Sequence, residues 1–113
     1  MANSFINKKV DLTTTDLTTL YTVPTATTTV VKSLLVSNDA GSGCNIDITL
    51  VDSSGNIFNL FKTKTIATIT TTEHLTNPLV MEESEILKVQ ASDANELHVI
   101  ASILEIQPRE VTT

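Results

Sequence analysis

The sequence predicts an all-β protein, a single antiparallel β-sandwich or jelly-roll-like domain of about seven to eight strands with an N-terminal arm. Apolar residues alternate at period two over most of the chain. Turn signals separate these runs at spacings of roughly ten residues, as in sandwiches. Threonine, valine and isoleucine are abundant, and their branched side chains favour extended backbone. A chain of 113 residues can bury one such core but not two.

The strongest strand signal is a hairpin near the C-terminus. Its predicted arms are Ile86–Ala91 and Leu97–Ile106, joined by the turn Ser92–Glu96. Both faces of the second arm carry apolar residues, such as Val99 on one face and Ile100 on the other. We therefore expect a central strand that is covered on both sides.

Five further strands are predicted upstream of this hairpin, besides a short strand that approaches it from Pro78. They are Leu17–Val23, Val30–Ser37, Cys44–Val51, Ile57–Phe61 and Thr65–Thr72. Pro24 ends the first because proline lacks the N–H that a strand ladder needs. A turn at Asp52–Asn56 joins the third and fourth, with Gly55 expected in the left-handed conformation. Thr65–Thr72 has small polar residues on both faces, which favours a sheet edge or a subunit contact.

The sandwich is predicted to span residues 17–106, between an arm at 1–16 and a polar tail at 107–113. In the arm, Ile6, Val10 and Leu12 alternate with polar residues, and Lys8 interrupts the apolar face. Two arrangements remain open at this stage. The arm pairs at the edge of its own sheet, or it reaches a neighbouring subunit.

Charge and hydropathy exclude several classes of partner. The net charge is −6, so the chain has no basic face for nucleic-acid phosphates or for anionic membranes. No apolar run reaches the length of a membrane span, and the N-terminus lacks the long apolar stretch of a secretory signal. The single cysteine, Cys44, cannot form an internal disulfide and is expected to be a buried, inert thiol at a strand start. This composition suits a cytosolic product or a particle assembled in the host cytoplasm.

No residue pattern predicts catalysis, a cofactor or a metal. The two histidines, His74 and His98, lack the spacing of metal ligands. Asp39, Asp52 and Asp93 each lie in a predicted turn, where they are expected to bond their own backbone. Calcium binding by these three loops at one end of the sandwich is the alternative. The chain has no phosphate-binding glycine loop, nucleophile elbow or CxxC pair, which argues against an enzyme.

The acidic residues are concentrated in the C-terminal part of the chain. One interpretation is a solubilising surface. The other is complementarity between copies, in which an acidic corner meets the lysines of the next subunit's arm. The candidate subunit contacts are Phe5, Ile6, Lys8, Lys9 and Val10 in the arm, and Glu82, Glu83 and Glu85 in the corner.

Two segments resemble a known family. They are LYTVPTATTTVVKSLLVSNDAGSGCNIDITLVDSSGN, at 20–56, and NPLVMEESEILKVQASDANELHVIASILEI, at 77–106. Their order of strands and turns resembles that of small virion structural proteins of tailed bacteriophages, common among phages of marine bacteria and cyanobacteria. At the corner before Ile86 the family pattern leads us to expect a glycine, where this chain has Glu83-Ser84-Glu85.

The resemblance implies a β-sandwich that serves as a repeated, non-enzymatic building block of a phage particle. It implies assembly with itself, with trimers as the expected state, and contact with the major capsid protein or with tail proteins. A capsid decoration or cement protein, which packs between capsomers and stabilises the shell, is the first expectation. A tail, neck, baseplate or fibre component, with a carbohydrate- or receptor-binding role, is the alternative.

Overall fold

The computed structural model describes residues 3–107, which fold as nine strands in two antiparallel sheets. The strands are β1 (Asn3–Leu12), β2 (Thr18–Thr22), β3 (Thr28–Asn38), β4 (Cys44–Val51), β5 (Ile57–Ile66), β6 (Thr70–Glu73), β7 (Leu79–Met81), β8 (Ile86–Ala91) and β9 (Leu97–Ile106). Within that range there is no helix, and hence none that is long and apolar enough to cross a membrane. The predicted all-β class is confirmed.

The strands pair from the two ends of the chain inwards. The first sheet has the order β1-β9-β3-β6, and β7 also pairs with β3; the second has the order β2-β8-β4-β5. Thus β1 pairs with β9, β2 with β8, β3 with β6 and β7, and β4 with β5. This nested pairing across two sheets is the winding of a jelly roll.

The hydrophobic core lies between the two sheets, where alternate residues of each inner strand point inwards. It contains Val31, Leu34 and Val36 of β3, Ile46 and Ile48 of β4, Leu87, Val89 and Ala91 of β8, and Leu97, Val99, Ala101 and Ile103 of β9. Cys44 begins β4 and is buried there, as predicted. The predicted turn is also confirmed, since Gly55 has a φ of 87°.

The N-terminal segment takes the first of the two arrangements that the sequence left open. β1 pairs with β9 of the same chain along its whole length, from Asn3 opposite Ile106 to Leu12 opposite Leu97. It is therefore an edge strand of the first sheet. The predicted tail, apart from Gln107, lies outside the described residues, as do Met1 and Ala2.

The predicted strand Thr65–Thr72 is wrong. β5 continues through Thr65 to Ile66, and a break at Ala67–Ile69 precedes β6, which starts at Thr70. Ile69 has a φ of 53°, a conformation that β-branched residues rarely adopt, so its sequence gave no sign of a turn. The edge position expected for this region is confirmed for β6, which pairs only with β3.

The expectation that β9 is covered on both sides is wrong for the single chain. β9 is central, between β1 and β3, and its inner face is fully buried. Its outer face, however, has no second layer among the described residues, and Ile100 remains 39% exposed. The apolar character of that outer face therefore has no explanation within one subunit.

Candidate functional site

The outer face of the first sheet carries a row of apolar side chains from one edge to the other. The strand register places Phe5 opposite Leu104, Leu104 opposite Val30, and Val30 opposite Val80. The two ends of this row are the most exposed, with Phe5 at 77% and Val80 at 59%. A continuous apolar row on an exposed sheet face is typical of a protein contact.

A second row runs parallel to the first and ends in opposite charges. Lys9 lies opposite Ile100, Ile100 opposite Leu35, and Leu35 opposite Glu73. The lysine is thus on the edge strand β1 and the glutamate on β6 at the other edge. Between the two rows lies a polar one, in which Ser102 pairs with Ser33.

The outer face of the second sheet is different, because its middle is polar. Asn45 and Asp47 of β4 and Gln90 of β8 line a concavity of about 330 Å³ together with Thr63 of β5. Thr63 has a φ of 55°, and its backbone N–H donates to Asp47 Oδ1 at 2.5 Å. Apolar side chains on this face are confined to one end, where Ile86, Val51 and Ile57 lie opposite one another.

The structure separates the predicted contact residues of the arm between the two faces of β1. Phe5 and Lys9 point outwards, whereas Ile6 and Val10 pack against the core and are half-buried. Lys8 occupies the inner side of this edge strand and is exposed.

The acidic corner Glu82–Glu85 joins β7 to β8. Glu83 Oε1 accepts the N–H of Ala26, and Glu85 Oε1 accepts that of Glu82 at 2.8 Å. Among residues 3–107 the ion pairs all involve His98, so the two lysines of β1 are not paired with this corner within one chain.

His98 lies between two carboxylates at one end of the sandwich. Its Nδ1 is 3.2 Å from Asp11 Oδ1 on β1, and its Nε2 is 3.3 Å from Asp39 Oδ2 in the β3–β4 loop. Of the two contacts, the one between Nε2 and Asp39 Oδ2 has the geometry of a hydrogen bond. No sequence pattern predicted this arrangement, since Asp11 reaches His98 only through the pairing of β1 with β9.

His74 is the other histidine, and it is 6% exposed. Its ring packs edge-on to Phe61 with centroids 5.1 Å apart, and Nδ1 is 3.1 Å from Thr72 O. Because a carbonyl oxygen can only accept, Nδ1 is the donor in this contact. Nε2 is the buried side-chain nitrogen or oxygen without a hydrogen-bond partner in the part of the chain described here.

The three aspartates considered for calcium do not lie together. Asp39 and Asp93 are in loops at the end where β4 begins, whereas Asp52 is in the hairpin at the end where β4 finishes. Asp52 bonds its own turn as predicted, because Oδ1 accepts the N–H groups of Ser54 and Asn56, each at 2.9 Å. These bonds, the one from Asn56 above all, hold the pKa of Asp52 below its ordinary value.

Cys44, Asp93 and Glu96 are the metal-ligating side chains that converge among residues 3–107, with ligand atoms within 4.8 Å of one another. Each already has a protein partner. The thiol is 3.5 Å from Ser92 Oγ, Asp93 Oδ2 accepts from Ser92, and Glu96 Oε1 accepts from Ser42 Oγ at 2.7 Å. The donor set also mixes one soft sulfur with hard oxygens, which matches no common metal site.

Comparisons with known proteins agree on the fold. No protein-family model matches the chain, and a search of curated proteins finds no match. A chain from the structure of infectious bursal disease virus, Gx strain, matches with a TM-score of 0.50 and 10% identity, covering 96% of this chain and 34% of that one. A pentameric capsid protein isolated from metagenomic phage sequences matches with a TM-score of 0.48 and 18% identity, covering 92% of this chain and 66% of that one.

A third match is a virus-like particle of the extra small virus of the giant freshwater prawn, Macrobrachium rosenbergii. Its TM-score is 0.47 at 8% identity, with 96% of this chain and 80% of that chain covered. These three neighbours all come from viruses. At such identities the likeness to the bursal disease virus chain shows a shared fold, and this chain spans about a third of that chain's length. The protein is thus a jelly-roll β-sandwich.

Proposed function

We propose that this protein is a non-enzymatic structural subunit of a virus particle and acts by packing against copies of itself and other particle proteins. The observation that carries the proposal is the outer face of the first sheet, whose apolar row runs from β1 through β9 and β3 to β7 and has no cover among residues 3–107. The nested jelly roll, shared with a virus chain, supports the same assignment.

The side chains that could do chemistry support a structural role. His74 is buried beside Phe61, whereas His98 lies between two aspartates at one end of the sandwich. Cys44 is buried and contacts Ser92. These groups belong to separate clusters, whereas nucleophilic catalysis needs a base within hydrogen-bond reach of the nucleophile.

The finer proposal is a capsid decoration or cement protein of a tailed bacteriophage. Its subunits, expected as trimers, would pack between capsomers of the major capsid protein and stabilise the shell. The alternative is a tail, neck, baseplate or fibre component. The resemblance to small phage virion proteins motivates both locations, and both use the same physical principle of subunit packing.

The acidic corner supplies one proposed contact between copies. Glu82 and Glu83 are exposed at the turn between β7 and β8, and Lys8 is exposed on the edge strand β1. Opposite charges across an interface favour the correct partner and register. The Lys8→Glu change is expected to weaken assembly of the purified chain, and weakening should increase as salt is lowered, because repulsion is then less screened.

Immunogold labelling of intact particles, with an antibody raised against this chain, tests the proposal. Label spread over the head is the result expected for decoration or cement, and particles lacking the chain should then lose infectivity at a lower temperature. Label confined to the tail supports the alternative location. Absence of label from particles, with the chain present in infected cells, would contradict a virion role.

The polar concavity on the second sheet favours a second candidate function, binding of a carbohydrate receptor. Asn45, Asp47 and Gln90 offer the amide and carboxylate groups that bond sugar hydroxyls. Binding on a glycan array that is lost in Asn45→Ala would support it, and an array without signal would count against it. Asn38 is unsuited to this role, because it is 1% exposed and its amide donates to Ser42 O and Ile66 O.

A further inference from the structure

We propose that the outer face of the first sheet is a two-fold interface between two copies of this chain, in which β1 of each copy lies over β6 and β7 of the other. The inference deepens the proposed function and rests on its self-association. It specifies which surface, which symmetry and which residue pairs. Two-fold interfaces are the commonest between identical subunits, and they require a surface that is complementary to itself.

The apolar row meets this requirement. We consider a two-fold axis that runs parallel to the strands, midway between β9 and β3. It reverses the order of the strands in the second copy but keeps each residue at the same position along its strand. Each row of side chains then stacks on the same row of the second copy, in reverse order. Phe5 of one copy faces Val80 of the second copy, and Leu104 faces Val30, so the four apolar residues of the row cover one another.

The charged row meets it as well. Reversal places Lys9 over Glu73 of the second copy, twice per dimer, with Ile100 over Leu35 between them. The Glu73 carboxylate already accepts from Ser33 Oγ, Leu34 N and Leu75 N. An ionised carboxylate has about four acceptor positions, so one remains for a lysine. Lys8 points to the opposite side of β1, which leaves it for the acidic corner of a further copy.

Besides the His98–Asp11 pair at the end of this face, Lys32 is a charge near it, and its position is compatible with stacking. It lies at the bulge in β3, between Val31 and Ser33. This stretch faces the gap between β7, which ends its pairing at Val31, and β6, which begins at Leu35. The exposed lysine can therefore extend its stem to solvent at the sheet rim.

The size of the face determines how strong the contact can be. From Phe5 to Asp11 the strands rise about 20 Å, and four strands with their side chains span about 19 Å. The footprint is about 400 Å² per copy, half of the about 800 Å² that each partner buries in a standard interface. The isolated pair is therefore expected to be weak, and repetition in a particle would strengthen it through multivalency.

Thiol cross-linking between two single-cysteine variants tests the pairing. Phe5→Cys and Val80→Cys are each made in a Cys44→Ala background, and a short bis-maleimide bridges thiols across packed sheets about 10 Å apart. Within one chain these positions are three strands apart, about 14 Å. Mixing the two variants is expected to give at least ten times more cross-linked dimer than either variant alone. Both positions are exposed, so neither change should prevent folding.

Two further variants connect the cross-link to the face itself. Ile100→Lys places a charge at the centre of the charged row and is expected to lower the yield at least fivefold. Thr19→Lys, at an exposed position on the outer face of the second sheet, is the matched control and should leave the yield unchanged. Circular dichroism checks that both retain the fold.

Light scattering after gel filtration of the unmodified chain separates failure of this inference from failure of the proposed function. Oligomers without the mixed cross-link would overturn the two-fold interface and leave a self-assembling subunit. Efficient cross-linking of Phe5→Cys with itself would place two β1 edges together and would also overturn it. A chain that stays monomeric and does not cross-link at its highest soluble concentration overturns the interface, while particle labelling still decides the virion role.

Discussion

Ser84 occupies a backbone conformation that suits glycine. It is the third residue of the turn Glu82–Glu85, which is closed by Glu85 N–H donating to Glu82 O at 3.0 Å, and its φ is 69°. Positive φ at this position of a four-residue turn normally requires glycine or asparagine. The glycine expected from the phage-protein pattern at this corner therefore has a physical reason, and this chain adopts the same φ with a serine.

We expect Ser84→Gly to stabilise the protein by about 0.5–1 kcal/mol. The change removes the steric cost of a left-handed non-glycine residue, and the extra entropy of glycine in the unfolded chain offsets part of this gain. The melting temperature should rise by about 2–5 °C. Ser53→Gly is the control, since Ser53 lies in an exposed turn and is not among the residues with positive φ. A fall in melting temperature for Ser84→Gly would contradict this account.

Tyr21 is a residue that joins the two sheets. It lies on β2, and its hydroxyl is 2.5 Å from Glu105 Oε2 on β9 and 2.7 Å from Thr29 Oγ1 on β3. Since the carboxylate can only accept, Tyr21 donates to Glu105 and accepts from Thr29. Burial, and then the neighbouring Glu105, raise the pKa of Tyr21 well above its ordinary value.

Tyr21→Phe is expected to lower the free energy of unfolding by about 1–3 kcal/mol, because it leaves the carboxylate and the threonine hydroxyl without this partner. Urea denaturation measures the loss. Glu105→Gln, which keeps an acceptor oxygen for the tyrosine, should cost less. If Glu105→Gln costs as much as Tyr21→Phe, the charge rather than the hydrogen bond is responsible.

Among the elements, the first sheet has a gap between β6 and β7 that a side chain fills. Glu73, the last residue of β6, accepts the N–H of Leu34 at 2.7 Å and that of Leu75 at 3.1 Å, and it bonds the Ser33 hydroxyl. The carboxylate thus replaces the strand ladder where β3 has no partner strand on that side. Partial desolvation raises the pKa of Glu73, but these hydrogen bonds outweigh it and the pKa lies below its ordinary value.

This pKa predicts the pH dependence of the sheet. A carboxyl group whose pKa is lowered by folding stabilises the protein above its unfolded pKa of 4.5, and that stability is lost as the pH falls through the folded pKa. We therefore expect Glu73→Gln to lower the free energy of unfolding by about 1 kcal/mol at neutral pH, a modest loss because the glutamate is exposed. The loss should become progressively smaller below pH 4.5. Melting temperatures between pH 3 and pH 7 measure the difference, with Glu82→Gln as control. A loss of stability that is the same at every pH would contradict a role for the ionised Glu73 carboxylate.

Strand identity was predictable from the sequence, because alternation and turn residues are local signals. The hairpin around Gly55 and the inner face of β9 are examples. The break at Ile69 was not predictable, since no glycine or proline marks it and the residue itself favours strand. The hydrogen bonds from β3 to the Glu73 side chain and the pair of His98 with Asp11 were not predictable either, because both depend on strands distant in sequence. Alternation also showed that Ile100 is apolar without showing whether the chain itself covers it.

For the whole molecule, the jelly roll is closed by the pairing of its first strand with its last. The segment 3–12 contributes the buried Leu12 and the half-buried Ile6 and Val10, and it covers the edge of β9 along its full length. Burial of one such side chain is worth about 1.5–3 kcal/mol, so the three together are comparable with the about 5–15 kcal/mol that stabilises a typical domain. β1 is thus expected to be part of the cooperative unit.

Deletion of residues 1–12 tests this expectation. The truncated chain should lose its cooperative thermal transition, or melt at least 15 °C lower, and it should aggregate, because the uncovered edge of β9 exposes a row of unpaired backbone groups. Deletion of residues 108–113, which the sequence predicts to be part of a polar tail, is the control and should leave the melting temperature unchanged. If the chain without residues 1–12 instead melts as the full chain does and stays soluble, the folded unit is the predicted domain 17–106, and β1 is an arm that is free to pair with a neighbouring subunit.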